Sequence, residues 1–190
     1  MRILMLGNSF IFTNDLPKVL ADLTGAEVVQ HTRGGARLSE QLNPATALGA
    51  RTQAALATEH WDYVVLQEMS HGPITAPKSF FSSVARLCAQ IRANGAVPVL
   101  YATWPYEKGG AELTKKGWDY DEMARDLREA YRRAAEENNA LLADVGERFC
   151  ALCTTQQLYA ADGVHPNEQG TRVAAETIAA VILQHREGHA

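Results

Sequence analysis

The chain has 190 residues, enough for one domain whose hydrophobic core needs neither a metal ion nor disulfide bonds. Hydrophobic residues make up 46% of it and charged residues 21%, as in ordinary globular proteins, and the net charge of -4 argues against nucleic-acid binding. No apolar run reaches the length of a membrane span, and the chain starts with a strand-like segment rather than a signal peptide. We therefore expect a single cytoplasmic domain over 1–190, with neither nucleic-acid nor membrane partners.

Five apolar segments predict β-strands, at 2–6, 26–32, 62–67, 97–103 and 141–145. Helical spacing and capping residues predict a helix capped by Asp15 and further helices over 40–59, 77–93, 119–139 and 166–185. Pro44 and Gly49 are expected to interrupt the second of these, and 104–117 is predicted to be irregular. The alternation predicts the α/β class, as a three-layer α/β/α sandwich whose five-stranded parallel sheet has the flavodoxin-like order 2-1-3-4-5.

A serine follows the first strand closely. That strand ends at Gly7, and Ser9 comes two residues later. Because ligands bind at the carboxyl edge of open α/β sheets, we expect the Ser9 hydroxyl at the ligand-binding edge. Taken alone, such a serine is better explained as a helix cap or a turn residue. Two more groups lie on loops that reach the same edge, a glycine pair at 34–35 and an Asp-x-x-His segment at 162–165.

Together these groups have the chemistry that acyl transfer needs. A serine hydroxyl becomes a nucleophile when a base such as the imidazole of His165 takes its proton. Asp162 could accept the other ring N–H of that imidazole, and the backbone N–H groups of Ser9 and of the glycine turn could face the developing oxyanion. Taken alone, Asp162 and His165 are better explained as a turn aspartate and a helix-capping histidine.

The Gly-Asn-Ser-Phe segment at 7–10, together with the Asp-Gly-Val-His-Pro segment at 162–166, resembles the SGNH (GDSL-type) hydrolases. The resemblance covers nearly the whole chain, and the second segment is a specific signature when an early Gly-x-Ser accompanies it. It implies a flavodoxin-like α/β/α fold, with Ser9 as nucleophile, His165 as base and Asp162 as its orienting carboxylate. It also implies a role in the oxyanion hole for Gly35, with Gly34 as the alternative.

The sequence departs from the pattern of that family at two places. The usual aspartate before the nucleophile is Asn8, which keeps hydrogen bonding but loses the charge. The third family segment, Gly-x-Asn-Asp, is absent, and Leu-Gln-Glu-Met-Ser-His stands at 66–71 instead. Gln67 is expected to replace the oxyanion-hole asparagine of the family, because its amide offers the same donor, and His71 is the alternative.

Other chemically capable residues have less sequence context. Trp104 follows the fourth strand and is expected to line the substrate pocket, with packing in the core as the alternative. Glu68 is expected to be solvated or hydrogen-bonded rather than catalytic. The remaining histidines are expected to have structural or surface positions: His31, His60, His185 and His189.

The cysteines give no support for a metal or redox site. Cys150 and Cys153 form a Cys-x-x-Cys pair without the second ligand pair that a zinc site needs, and Cys88 lies far away in the sequence. We expect all three to be reduced and structural, which fits a cytoplasmic protein.

The sequence therefore predicts a serine esterase that uses an acyl-serine intermediate, with no metal and no cofactor, on a small-molecule O-acyl ester such as an acetylated carbohydrate. The alternatives are a lysophospholipase or thioesterase of the same superfamily and a non-catalytic binding module on this fold. The α/β-hydrolase fold is disfavoured because there is no Gly-x-Ser-x-Gly motif and only one strand can precede Ser9. A flavodoxin-like nucleotide binder would need a glycine-rich phosphate loop, which the first loop lacks.

Overall fold

Five parallel strands form the centre of the computed structural model, which describes residues 1–188. The strands are β1 (Arg2–Gly7), β2 (Glu27–Thr32), β3 (Tyr63–Leu66), β4 (Val97–Tyr101) and β5 (Leu141–Ala143). Their order in the sheet is β2-β1-β3-β4-β5, and every neighbouring pair is parallel. The predicted strands, their order and the α/β class are confirmed, although β4 and β5 end two residues earlier than expected.

The helices that the structure describes are α1 (Ser9–Phe12), α2 (Leu16–Thr24), α3 (Leu38–Gln41), α4 (Ala47–Thr58), α5 (Gly72–Thr75), α6 (Pro77–Ala93), α7 (Ala111–Lys116), α8 (Tyr120–Glu137), α9 (Val145–Leu152) and α10 (Glu168–Glu187). A single 3-10 turn, Thr13–Asp15, joins the first two of them. Among residues 1–188, none of the helices is long and apolar enough to cross a membrane.

The sheet is buried on both faces, which gives the molecule two hydrophobic cores. Leu4 and Leu6 of β1 enter the core that α3, α4, α6 and α8 cover. Ile3 and Met5 point to the opposite side, into the core that α1, α2, α9 and α10 cover. All four side chains are fully buried. This explains why the strands read as continuous apolar runs rather than as alternating polar and apolar residues.

Three local predictions were wrong. Pro44 does separate α3 from α4, but Gly49 lies inside α4, where an added Cβ would come within 2.0 Å of the Asn43 carbonyl oxygen. The segment 104–117 contains α7, which the apolar pattern did not reveal because Leu113 is its one buried residue. Asp15 precedes α2 with a φ of 52°, and its side chain makes no capping hydrogen bond.

The loops after β1, β2, β3 and β4 all leave the carboxyl edge of the sheet. They carry Ser9, the glycine pair at 34–35, the segment from Gln67 to His71, and Trp104. The fold therefore gathers the sequence-predicted candidates at one edge, where ligands bind in open α/β sheets.

Candidate active site

Ser9 is the first residue of α1. The Oδ1 atom of Asn8 accepts the N–H of Phe10 at 3.2 Å and so caps the helix immediately after the strand. Gly7 allows this sharp turn, because an added Cβ would lie 2.5 Å from Oε1 of Gln67 and 2.7 Å from the side chain of Ile11. The Ser9 hydroxyl is consequently held at the end of β1, where the sequence placed it.

The structure brings Ser9, His165 and Asp162 together. The Ser9 Oγ atom lies 2.8 Å from Nε2 of His165, and Nδ1 of the same ring lies 2.6 Å from Oδ2 of Asp162. Because a carboxylate can only accept, Nδ1 carries the proton and Nε2 is left to accept one from the serine. The His165 imidazole can therefore take the proton of the Ser9 hydroxyl, and Asp162 can orient the ring and stabilise its positive charge.

Asp162 also orders the loop that carries the histidine. Its Oδ1 atom accepts the N–H of Val164 at 3.0 Å and that of His165 at 2.9 Å, around Gly163 with a φ of +66°. Partial burial raises the pKa of Asp162, but these N–H groups and the imidazole outweigh it and hold that pKa below its ordinary value. Asp162 therefore remains an acceptor for the imidazole.

The glycine turn lies against the segment that carries Ser9. The N–H of Ala36 donates to the carbonyl of Arg33 at 3.0 Å, and Gly35 occupies the left-handed region with a φ of +67°. Gly34 and Gly35 are both exposed, and Nδ2 of Asn8 donates to the Ala36 carbonyl at 3.1 Å. This amide holds the turn next to the residue that precedes Ser9.

Gln67 does not occupy the position expected of an oxyanion-hole donor, and that prediction was wrong. Its side chain is fully buried. Its Oε1 atom accepts the backbone N–H of Asn8 at 3.0 Å, which fixes that end of the amide as the oxygen. Its Nε2 atom donates to the backbone carbonyl of Glu68. Since both ends have partners inside the protein, Gln67 joins the ends of β1 and β3 rather than facing the crevice.

His71, the alternative donor, packs against aromatic rings. Its ring centroid lies 5.5 Å from that of Trp118 and 6.4 Å from that of Tyr106, edge to face in both cases. Its Nδ1 atom lies 3.0 Å from Oγ1 of Thr75. Burial, with a smaller effect from Lys116, lowers the pKa of His71. None of the contacts described for His71 joins it to Ser9 or Gly35.

Trp104 is fully buried, so the expectation that it lines the substrate pocket was wrong. Its ring stacks between those of Phe10 and Phe149, with centroids 4.7 Å and 4.3 Å away. Its indole Nε1 donates to the carbonyl of Val164 at 3.1 Å. Trp104 instead packs in the core, which was the alternative considered from the sequence.

Glu68 is hydrogen-bonded, as expected. The residue is 3% exposed, and its carboxylate accepts the backbone N–H groups of Leu38 at 3.2 Å and Met69 at 2.8 Å. Burial raises the pKa of Glu68, and the two N–H groups offset only part of that rise. Glu68 thus ties the loop after β3 to the chain that follows the glycine turn.

Asn8 and Asn14 hold the site together, and sequence reasoning did not single out either for that role. Asn14 has a left-handed backbone with a φ of 52°, and its Nδ2 atom donates to the carbonyl of Pro166 at 3.0 Å and to Oγ1 of Thr171 at 2.9 Å. Asparagine adopts this conformation more readily than most residues, so the sequence could have suggested a left-handed residue here. The partners of Asn14 lie more than 150 residues away, and no local pattern indicates them.

Three other histidines that the structure describes, His31, His60 and His185, lie outside this constellation. His31 is buried, with its Nδ1 atom 3.1 Å from Oγ1 of Thr52. His60 is exposed, and Nδ1 of His185 lies 3.0 Å from the Tyr63 hydroxyl. His189 lies outside the described residues.

The cysteines are all free. Cys88 is buried, and burial raises its pKa to about 11. Cys150 and Cys153 are half-buried, and the Cys153 sulfur lies 3.5 Å from the Tyr120 hydroxyl. Within residues 1–188, no group of three or more His, Cys, Asp or Glu side chains is placed to hold a metal ion.

Comparison with known proteins assigns the chain to a family. The model of the GDSL-like Lipase/Acylhydrolase family matches residues 7–173, which include both ends of the constellation. The chain belongs to this family. Its GDSL-like fold is also that of a candidate SGNH hydrolase from Slackia heliotrinireducens, with 53% sequence identity, a TM-score of 0.92, and coverage of 96% of this chain and 98% of that one. The SGNH resemblance of the sequence is confirmed.

More distant structures share the fold. The acetyl xylan esterase AlAXEase has 17% identity and a TM-score of 0.74, over 96% of this chain and all of that chain (100%). A catalytic mutant of Axe2, an acetylxylan esterase from Geobacillus stearothermophilus, has 15% identity and a TM-score of 0.67, over 95% and 93%. No curated protein sequence matches this chain significantly.

Proposed function

We propose that this member of the GDSL-like family is a serine esterase that cleaves small O-acyl esters through an acyl-serine intermediate. The observation that carries the proposal is the pair of contacts at His165, 2.8 Å from Nε2 to the Ser9 hydroxyl and 2.6 Å from Nδ1 to Asp162. A serine needs a base, and the base needs an orienting group, so these two contacts supply what acyl transfer requires. Membership of an acylhydrolase family supports the same reaction class.

In the proposed reaction, the Ser9 oxygen attacks the ester carbonyl carbon while its proton moves to Nε2 of His165. The tetrahedral oxyanion faces the backbone N–H groups of Ser9 and Gly35, with Gly34 as the alternative to Gly35. When the intermediate collapses, the bond to the alcohol oxygen breaks and Nε2 gives its proton to the departing alcohol. A water molecule, deprotonated by His165, then attacks the carbonyl carbon of the acyl-serine. The bond from that carbon to Ser9 Oγ breaks, His165 returns the proton to the serine oxygen, and the carboxylic acid leaves.

The proposed oxyanion hole has two backbone donors and no side-chain donor. Gln67 is engaged with Asn8 and Glu68, and His71 packs against Trp118. One oxyanion donor is worth about 3 kcal/mol of barrier, so such a site catalyses more slowly than one with three donors.

For the substrate, we propose a short acyl group on a polar alcohol, such as an acetylated carbohydrate. Two of the distant structures that share the fold are acetylxylan esterases, which supports this choice. A cavity of about 700 Å³ opens between α8 and α9, but Tyr120 and Cys150 are among its lining residues and Ser9 is not. That cavity therefore does not serve as an acyl pocket. A lysophospholipase or thioesterase is the alternative, and it requires a long apolar groove at Ser9.

A fluorophosphonate probe tests the proposal directly, because it reacts with an activated serine. We expect one label on the wild-type chain at Ser9 by peptide mass spectrometry, no label on Ser9→Ala, and full labelling of Ser39→Ala, which removes an exposed serine of α3. Turnover of an acetyl ester should fall by at least about a thousandfold in Ser9→Ala. An unlabelled, folded wild type would favour the non-catalytic binding module. A series of nitrophenyl esters from acetyl to dodecanoyl distinguishes a short-chain esterase from the long-chain alternatives.

A further inference from the structure

Trp104 contacts both chain segments that form the candidate site. On one side its ring stacks on Phe10, with centroids 4.7 Å apart and planes 12° from parallel, and Phe10 directly follows Ser9. On the other side its indole Nε1 donates to the carbonyl of Val164 at 3.1 Å, and Val164 directly precedes His165. One buried side chain therefore spans the gap between the segment of the serine and the segment of the histidine.

The ring of Trp104 has little freedom to move. Phe149 of α9 stacks on its second face at 4.3 Å, with planes 7° from parallel, and the residue has no exposed surface. The imidazole of His165 in turn stands edge-on against Phe10, with centroids 5.4 Å apart and an angle of 84°. Phe149, Trp104, Phe10 and His165 thus form a continuous row of rings that ends at the proposed base. A close-packed row transmits a displacement at one ring to the next.

Trp104 and Asp162 hold different contacts of the site: Asp162 holds its own contact with His165, whereas Trp104 bears on the contact between Ser9 and His165. Asp162 accepts both the backbone N–H and the Nδ1–H of His165, so the aspartate and the histidine move as one unit. Ser9 lies on a separate segment, joined to that unit at Oγ and through the ring row. Loss of the indole hydrogen bond frees the Val164 carbonyl and should loosen the contact between Ser9 and His165. It leaves the contact between His165 and Asp162 intact.

We propose that Trp104 is a positioning residue that sets the separation between the Ser9 hydroxyl and the His165 imidazole. The inference rests on the proposed serine-esterase function. A displacement of about 1 Å at reacting groups costs on the order of a hundredfold in rate. Trp104 touches neither reacting atom, so it should affect kcat and leave substrate affinity nearly unchanged.

The chain contains a matched control. Trp61 is also fully buried and also donates its indole N–H to a backbone carbonyl, that of Ala55 at 3.2 Å, but it lies in the core on the other face of the sheet. Trp104→Phe and Trp61→Phe therefore remove the same kind of group and the same kind of hydrogen bond. A difference in kcat between variants of similar stability in urea isolates the positioning effect.

For Trp104→Phe we expect kcat on an acetyl ester to fall by about tenfold or more, with KM within about twofold of wild type. Trp61→Phe should stay within about twofold of wild type in both constants. The proton-NMR signal of the His165 Nδ1–H, shifted downfield by Asp162, should persist in Trp104→Phe, because the aspartate contact is preserved. Equal kcat in the two variants would overturn the inference, and so would loss of that signal, because general disorder of the loop would then explain the rate.

A second variant tests the inference if Trp104→Phe does not fold. Phe149→Leu keeps the indole hydrogen bond and removes one face of the stack, so kcat should fall by about threefold or more at constant KM. Wild-type kcat in that variant would overturn the inference. If wild-type protein shows no turnover that depends on Ser9, the proposed function fails. If that turnover is present and the Trp104 and Phe149 variants keep it, the positioning role fails alone.

Discussion

The side-chain amide of Asn8 donates a hydrogen bond to the backbone carbonyl of Ala36 across 3.1 Å. The other end of the same amide, Oδ1, accepts the N–H of Phe10 at 3.2 Å and begins α1. Asn8 is 3% exposed, so both bonds are shielded from water. The two proposed oxyanion donors, on Ser9 and Gly35, therefore lie on segments that one buried amide joins.

Asn8→Asp, which introduces the residue usual in the family, should lower kcat by about tenfold to a hundredfold. Aspartate can still accept the Phe10 N–H, but it cannot donate to Ala36, and its buried negative charge would face that carbonyl oxygen. The glycine turn should then move away from Ser9. Steady-state kinetics on an acetyl ester measures the effect.

Asn43→Asp is the control for Asn8→Asp. Asn43 is exposed, and its Oδ1 accepts the Ala45 N–H at 3.0 Å, a bond that aspartate also makes. Its kcat should match wild type. A wild-type kcat for Asn8→Asp as well would show that the bond to Ala36 does not position the turn.

Substitutions of Asn14, on the loop before α2, can separate the effect of its hydrogen bonds from the effect of its left-handed backbone. Asn14→Ala and Asn14→Gly both lose the hydrogen bonds to Pro166 and Thr171. Both residues must adopt the left-handed φ of 52°, which costs alanine roughly 1 kcal/mol more than glycine. We expect both variants to lose kcat, because Pro166 follows His165, and Asn14→Ala to have the lower free energy of unfolding in urea. Equal free energies for the two variants would rule out strain at this residue.

The strands and the serine–histidine–aspartate constellation could be predicted because their signals are local. Each strand is a continuous apolar run, and Asp162 precedes His165 by three residues on one loop. Pairing that loop with Ser9 needed the parallel topology and the family resemblance, since 156 residues separate the serine and the histidine. The local signals and the topology pointed to the same edge of the sheet.

The predictions for Gln67 and Trp104 were wrong for the same physical reason. Gln67 and Trp104 both follow strands, as pocket residues do, and their residue types suit a pocket. Their positions depend instead on hydrogen-bond partners far away in the sequence, Asn8 for Gln67 and Val164 for Trp104. A buried polar group takes whichever partner the fold brings to it, and no local pattern encodes that partner.

His31 provides a pH-dependent contribution to stability. It is 3% exposed, and its Nδ1 atom lies 3.1 Å from Oγ1 of Thr52. The Thr52 hydroxyl gives its own hydrogen to Oε1 of Gln41, so Nδ1 of His31 carries the hydrogen of the bond to Thr52. The ring is neutral near neutral pH because its pKa is lowered. Burial, with a smaller effect from Arg51, lowers the pKa of His31 to about 4. The unfolded chain, with an ordinary histidine pKa near 6.5, binds the proton first.

The free energy of unfolding should therefore fall as the pH drops from about 6.5 to about 4, because only the unfolded state gains a proton there. Each pKa unit is worth about 1.4 kcal/mol, so His31 accounts for a loss of up to about 3 kcal/mol. His31→Asn, whose amide N–H can replace Nδ1–H, should lose less stability over that range in urea titrations. Parallel pH profiles for the two proteins would contradict the assigned neutral state.

A substitution of Gln67 distinguishes a structural role of its amide from a catalytic one. Gln67→Leu removes the acceptor for the buried N–H of Asn8, which should lower the free energy of unfolding by about 1–3 kcal/mol. Because its amide does not face the crevice, kcat of the folded variant should fall by less than about tenfold, whereas loss of an oxyanion donor costs about a hundredfold or more. Urea unfolding and kinetics on the same preparation distinguish these cases. A hundredfold loss of kcat at unchanged stability would mean that the amide turns toward the substrate during the reaction, and the proposed hole would then have a side-chain donor.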